Sequence, residues 1–266
     1  MLRSRILTAL ALALMLIAAV IFCPPPVTTV VFALILLIGA WEWSAFTATR
    51  IVSRLLYVIV LVMLGALAWL ATLTTARFTL MLEVALGWWL IALLWIVLAP
   101  QRGGSLAAGM AGVLALVPTW VALVRIDEGW FRGAEWTLFI LALAFAADTG
   151  AYFAGRQFGR VHLAPRVSPN KTWEGVIGGM LLAAGIAAIG ASWFGLSMPS
   201  FICLCLAAAG FSVVGDLIES LLKRHVRLKD SGRLFPGHGG MLDRIDSVTA
   251  ATPVMALGLM WLGVGK

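Results

Sequence analysis

The stretch VVGDLIESLLKRH, residues 213–225, places Asp216, Glu219, Ser220 and Lys223 at i, i+3, i+4 and i+7. At helical pitch those four side chains share one face, while Leu217, Ile218, Leu221 and Leu222 occupy the others. A polar stripe at the end of an apolar helix lines a water-accessible cavity rather than lipid. A Lys–Glu pair at i, i+4 accounts for Glu219 and Lys223 without any function. It leaves Asp216, a turn deeper, without a local cation. A second polar knot, FPGHGGMLDRIDS, follows at 235–247. Its proline and three glycines are backbone that turns sharply and can approach a ligand closely. His238 suits a general acid or base, and equally a structural loop histidine. Asp243 and Asp246, spaced i, i+3 with Arg244 between them, stand where the last apolar run begins.

Two segments upstream have the same flavour. In AFAADTGAYFAGRQFG, Asp148 lies deep in an apolar helix. A carboxylate there costs at least ~2.5–3.5 kcal/mol unless it faces a partner, a cavity or an ion. The bland alternatives are a helix–helix hydrogen bond or a salt bridge to Arg156. In RVSPNKTWEG, Ser168-Pro169-Asn170 predicts a turn and Thr172 a helix cap. Lys171 then stands near the helix start, where free N–H groups favour anions; an ordinary capped helix with a topology lysine fits as well. Asp148, Asp216, Asp243 and Asp246 thus approach one depth of the chain's apolar layer. Carboxylates without thiolate partners are the hard-oxygen ligand set of Mg²⁺. Lys223, Arg224, Lys229, Arg233 and Arg244 surround them. Acids to hold a metal, with cations to hold phosphates, make a phosphoryl or nucleotidyl transfer site. Glu42, flanked by Trp41 and Trp43, and Glu83 lack such a neighbourhood and read as packing or interface acids.

The elements that must position these groups are membrane helices. Of 266 residues, 62% are hydrophobic and 12% charged, against about 25% charged in soluble domains. Apolar runs reach the roughly 20 residues needed to span a bilayer. The expected fold is an all-α integral membrane protein with about nine transmembrane helices, at 6–22, 28–48, 52–73, 78–98, 104–124, 136–154, 175–195, 199–221 and 247–264. With the N-terminus in the cytoplasm, all but Arg77, Arg125, Arg132 and Lys266 of the 19 Lys and Arg fall inside, as the positive-inside rule asks. The net charge of +7 therefore reflects topology and anionic lipid, not nucleic acid. The first run is too long for a signal peptide and ends in Cys23-Pro24-Pro25-Pro26 rather than a cleavage site. Cys23, Cys203 and Cys205 read as small apolar residues. Short loops over 1–125 contrast with a polar C-terminal region, 126–266, whose cytoplasmic side carries the candidate site. No internal repeat of the kind found in ion-coupled transporters is visible.

The segment SLLKRHVRLKDSGRLFPGHGGMLDRIDS closely resembles the signature of the phosphatidate cytidylyltransferases, the CDP-diacylglycerol synthases. It carries Ser220, Lys223-Arg224, Lys229-Asp230 with Gly232, Pro236 with His238-Gly239-Gly240, and Asp243-Arg244 with Asp246 in that family's order. ADTGAYFAGRQFG and SPNKTWEG are also similar to that family. The resemblance implies CTP and phosphatidic acid as substrates, and CDP-diacylglycerol and pyrophosphate as products. It further implies a homodimer in the cell (inner) membrane and a paired cation site, Mg²⁺ with a second cation, on the acids matching Asp216 and Asp243. Asp246, Glu219 and Asp148 would support that site, and Ser168, Lys171, Ser220, Lys223, Arg224, Lys229, His238 and Arg244 would meet substrate. The Asp-Gly-x-x-Ala-Arg motif of the CDP-alcohol phosphotransferases, the rival enzymes, is absent.

Overall fold

The computed structural model describes residues 13–232, 234 and 239–265. Among these, nine helices follow one another: α1 (Ala13–Phe22), α2 (Pro25–Trp43), α3 (Ile51–Ala71), α4 (Thr75–Leu98), α5 (Ser105–Gly129), α6 (Gly133–Phe158), α7 (Trp173–Phe194), α8 (Met198–His225) and α9 (Leu242–Trp261). A 3-10 turn, Ser44–Phe46, continues α2. Seven helices, α2 to α8, are long and apolar enough to cross a membrane. α3 has only Leu61 and Gly65 buried, and its outward Val, Leu, Ile and Met side chains suit lipid rather than water.

α9 is the opposite case. Every residue from Ser247 to Leu259 is buried, and α9 packs against α2, α4, α5, α6 and α8. A central helix need not be apolar enough for lipid, so Thr249, Thr252 and a run of alanines serve instead. Pro253 interrupts its backbone ladder, because proline has no N–H to give the Thr249 carbonyl. The Thr119 hydroxyl of α5 reaches that carbonyl at 2.8 Å. In a water-free layer such a freed carbonyl must find a donor from a neighbouring helix.

α6 and α7 meet backbone to backbone. A Cβ on Gly150 would stand 2.6 Å from the Gly178 carbonyl oxygen, and one on Gly179 would stand 2.6 Å from the Ala147 oxygen. Small residues allow membrane helices to approach this closely.

Two expectations are corrected. Residues 168–172 are not a turn but a strand. β1 (His162–Ala164) and β2 (Ser168–Thr172) form an antiparallel hairpin between α6 and α7, and the turn lies at 164–167, closed by Val167 N–H to Ala164 O at 3.0 Å. Thr172 does cap α7, accepting Gly175 N–H at 3.2 Å. Second, the last helix begins at Leu242, several residues before 247. Asp243 and Asp246 are therefore inside α9, whose first N–H groups find acceptors as described below.

Candidate active site

The ends of α6, α8 and β2 and the starts of α7 and α9 enclose a cavity of about 580 Å³. Its polar wall contains Asp148, Ser168, Asn170, Lys171, Asp216, Asp243, Arg244 and Asp246; its apolar wall includes Ala147, Met180, Ala209 and Val213. Residues from five elements, far apart in sequence, thus converge as their types suggested.

Lys171, carried by β2, forms an ion pair with Asp216 of α8. This is the cation that the helix itself could not supply. Asp216 also accepts the Ser220 hydroxyl at 3.3 Å, one turn on. Asp148 takes the Ser247 hydroxyl at 2.6 Å; the contact of Arg156 is with the Tyr152 hydroxyl, 3.2 Å away. Asp246 accepts its neighbour's N–H, from Ser247, at 2.8 Å. The charges of Asp148, Asp216 and Lys171 all act on Asp246. Three carboxylates and one ammonium therefore share a small volume at the end of the apolar layer.

Beside this group lies a second one. Lys223 donates to Asp243 Oδ1 at 2.6 Å and lies 3.1 Å from Glu219 Oε1. Asp243 Oδ2 accepts the Ser231 N–H at 3.0 Å, the Ser231 hydroxyl at 2.8 Å and the Gly240 N–H at 2.8 Å. Asp243 thus folds the incoming chain onto the start of α9, with a single oxygen, Oδ1, left on the lysine. Gly239 has φ of 80°, and a Cβ there would strike Asp243 Oδ2, so this turn needs glycine. Glu219 is fully buried and neither of its oxygens has a hydrogen bond among the described residues.

Of the remaining expected residues, Arg224 is turned to the hairpin, its Nε 3.5 Å from the Val167 carbonyl. Lys229 is exposed on the chain after α8. His238 lies outside the described residues. Glu219, Ser220, Lys223, Arg224 and Lys229 are not on the cavity wall itself.

Reading Glu42 as a packing acid is corrected. Its side chain, 5% exposed, accepts the Met241 N–H at 3.0 Å and the Leu242 N–H at 2.7 Å, and it shares the single Ser231 hydroxyl proton, 3.1 Å away, with Asp243. It caps α9 from another helix, a role that a residue preceding α9 would ordinarily play. Its sequence signal, an acid in an apolar run, matched that of Asp148; its partners stand about 200 residues away.

The donor set fits a hard divalent cation. Among the described residues no three acids, histidines or cysteines converge into a closed metal cage; the acids surround a cavity instead. Mg²⁺ commonly uses one or two carboxylates and completes its shell with water and substrate phosphate. Asp216 and Asp246 are the candidates on the cavity wall, with Asp148 beside them, and Asp243 would have to share Oδ1 with Lys223.

The sequence profile of the cytidylyltransferase family matches residues 3–262. A phosphatidate cytidylyltransferase of Pseudomonas aeruginosa is 37% identical over 98% of this chain and 97% of its own length. One of Haemophilus influenzae is 34% identical over 95% of this chain and 96% of its own, and one of Brucella suis is 43% identical over 57% of this chain and 55% of its own. With its apolar helices, its signature residues and a match running almost end to end, this multi-pass membrane protein belongs to the cytidylyltransferase family.

Proposed function

We propose that the chain transfers a cytidylyl group from CTP to phosphatidic acid, giving CDP-diacylglycerol and pyrophosphate at the cytoplasmic face of the cell membrane. The observation that carries this reading is the cavity in which Asp148, Asp216 and Asp246 meet Lys171 and Arg244 at the end of the apolar helices.

A phosphatidate oxygen attacks the CTP α-phosphorus, the bond from that phosphorus to the bridging oxygen breaks, and pyrophosphate leaves with that oxygen. The attacking phosphate is already an anion near neutral pH, so the step needs no strong base. The barrier is the meeting of two polyanions and the charge gathering on the leaving group. Lys171 and Arg244 present positive charge at the cavity wall; Lys223 stands behind Asp243, and Arg224 and Lys229 would add charge from the end of α8 and the chain after it. Asp216 and Asp246, with Asp148 and the Oδ1 of Asp243 beside them and Glu219 behind, would hold Mg²⁺, which would neutralise phosphate charge. Ser168 and Ser220 offer hydroxyl donors. The apolar wall of Ala147, Met180, Ala209 and Val213 suits the glyceride end of a lipid.

Topology supports the assignment of sides. Glu42, Lys223 and the C-terminal end of α6 gather at one end of the bundle with the starts of α7 and α9. His225, at the end of α8, holds the Pro100 carbonyl between α4 and α5 at 2.9 Å. Arg50, Arg54, Arg102, Arg156, Arg160 and Arg166 lie in the loops and helix ends of that side, while Arg77, Arg125 and Arg132 lie in those of the other. Read as nine spans with the N-terminus inside, α1 and α9 joining the seven long apolar helices, the chain would have its cation-rich end in the cytoplasm. A homodimer is part of the same reading.

The test follows the label. Purified protein given phosphatidic acid and CTP labelled at the α-phosphate is expected to move label into lipid; label at the γ-phosphate is expected to leave as pyrophosphate. Label reaching lipid from both positions, or product formed only when CDP-diacylglycerol and an alcohol are supplied, contradicts the assignment.

A further inference from the structure

Among the described residues, one charged side chain of the N-terminal half, Glu42, joins the polar groups of the C-terminal half, and its setting is specific. Glu42 ends α2 buried against the chain leading into α9. Its three hydrogen bonds tie down Ser231, Met241 and Leu242 together. The Ser231 hydroxyl reaches both Glu42 Oε2 and Asp243 Oδ2, at 3.1 and 2.8 Å. Two of the glycines on that stretch, Gly232 and Gly240, lie against this carboxylate. A Cβ on Gly232 would stand 2.2 Å from Glu42 Oε1, and one on Gly240 would stand 2.2 Å from Glu42 Oε2. Gly232 has no positive φ, so the space taken by Glu42 explains that glycine. A glutamine in this place would turn one N–H₂ toward backbone N–H donors, so the charge matters as well as the shape.

We propose that Glu42 is a positioning residue for the reaction: it clamps Ser231 to the Met241–Leu242 start of α9, so that Asp243, on the cavity wall, stays hydrogen-bonded to Lys223 behind it. The inference rests on the reading of that cavity as the nucleotidyl-transfer site, and it assigns the N-terminal half a part in the chemistry.

The test uses the full-length protein in detergent with Glu42→Ala, Glu42→Gln, Gly232→Ala and the double variant Glu42→Ala/Gly232→Ala. A residue that arranges groups acting in the transition state changes kcat, so kcat is expected to fall at least about 10-fold in both Glu42 variants, with KM for phosphatidate within about twofold. Trypsin is expected to cut after Arg227, Lys229 or Arg233 at least about fivefold faster, because opening of that segment becomes easier. Gly232→Ala is expected to cost about 10-fold or more in the native background and less than about twofold once Glu42 is alanine, a non-additivity that contacting residues show. If Glu42→Ala yields no folded protein, Glu42→Asp is the second variant, and its shorter side chain is expected to rescue Gly232→Ala.

Turnover of Glu42→Ala within twofold of wild type overturns the proposal, as does an equal Gly232→Ala cost in both backgrounds or a failure of the Glu42→Asp rescue. Unchanged cleavage with lost turnover shows that Glu42 does not act by holding this segment, and also overturns it. Faster cleavage with unchanged turnover overturns the positioning role while leaving the clamp. If wild type itself makes no CDP-lipid, the cleavage rates of the same variants still decide the clamp, so the two failures are told apart.

Discussion

At the scale of the residue, the site is a balance of charge. Asp148, Asp216 and Asp246 repel one another, and Lys171 offsets them through Asp216. Lys171→Met should therefore have two opposite effects. Turnover should fall at least about 10-fold, because a cation facing developing phosphate charge is gone. The half-saturating Mg²⁺ concentration should also fall, because the acid cluster becomes more negative and loses a competing cation. A Mg²⁺ titration of turnover checks both; an unchanged half-saturation point would show that Lys171 and the cation do not share the cluster. Ser247→Ala removes the donor to Asp148 and leaves a carboxylate oxygen unpaired, at a cost of about 1–3 kcal/mol, measurable as a lowered unfolding midpoint in detergent. That these residues come together was legible in the sequence, because a charge in an apolar helix needs a partner or a cavity. Glu42 carried the same signal, but the local neighbourhood of Trp41 and Trp43 said nothing of Met241 and Leu242. A tertiary cap leaves no trace near either partner.

At the scale of the element, backbone approach sets the site's dimensions. The contact of Gly150 with Gly178 and of Gly179 with Ala147 fixes α7, and with it the hairpin that carries Lys171, against the helix that carries Asp148. Gly179→Leu should push the two apart and loosen the Lys171–Asp216 pair. Activity is expected to drop at least about 10-fold, a 1 Å displacement near the chemistry being worth more than that; full activity would mean that α7 does not set Lys171. Thr119→Val should orphan the Thr249 carbonyl opposite Pro253 and lower stability by about 1–3 kcal/mol. Helices of this length were readable from hydropathy. The hairpin was not: β1 and β2 are short, and Pro169 and Asn170 argue against strands. The early start of α9 was equally hidden, since its first N–H groups are satisfied by Glu42, which takes the Leu242 N–H, and by the Ser231 hydroxyl, which takes the Asp243 N–H, rather than by a capping residue next to it.

At the scale of the whole molecule, the proposed site sits at one end of the bundle. The loops that join α2 to α3, α4 to α5, α6 to α7 and α8 to α9 lie at the cavity end, and most of the chain's cations lie there with them. In a variant lacking Cys23, Cys203 and Cys205, His162→Cys in the hairpin is expected to resist a membrane-impermeant maleimide added outside intact cells. Phe131→Cys at the opposite end, where Phe131 is 89% exposed, is expected to react; the reverse pattern would place the site on the wrong side. In the proposed topology the charge asymmetry allots each loop a side, and the labelling pattern tests that allotment. What composition did not convey is that the most buried helix, α9, is the least lipid-like of the later ones, so that the centre of the bundle is marked by small and polar residues rather than by hydrophobicity. The most direct test of the account is turnover of CTP and phosphatidic acid against Mg²⁺ concentration for wild type, Asp216→Asn and Asp246→Asn. The account predicts no CDP-lipid without a divalent cation and a loss of at least about 100-fold in each variant, of the size seen when a preorganised charge is removed; wild-type rates in either variant, or full activity with the cation chelated, would contradict it.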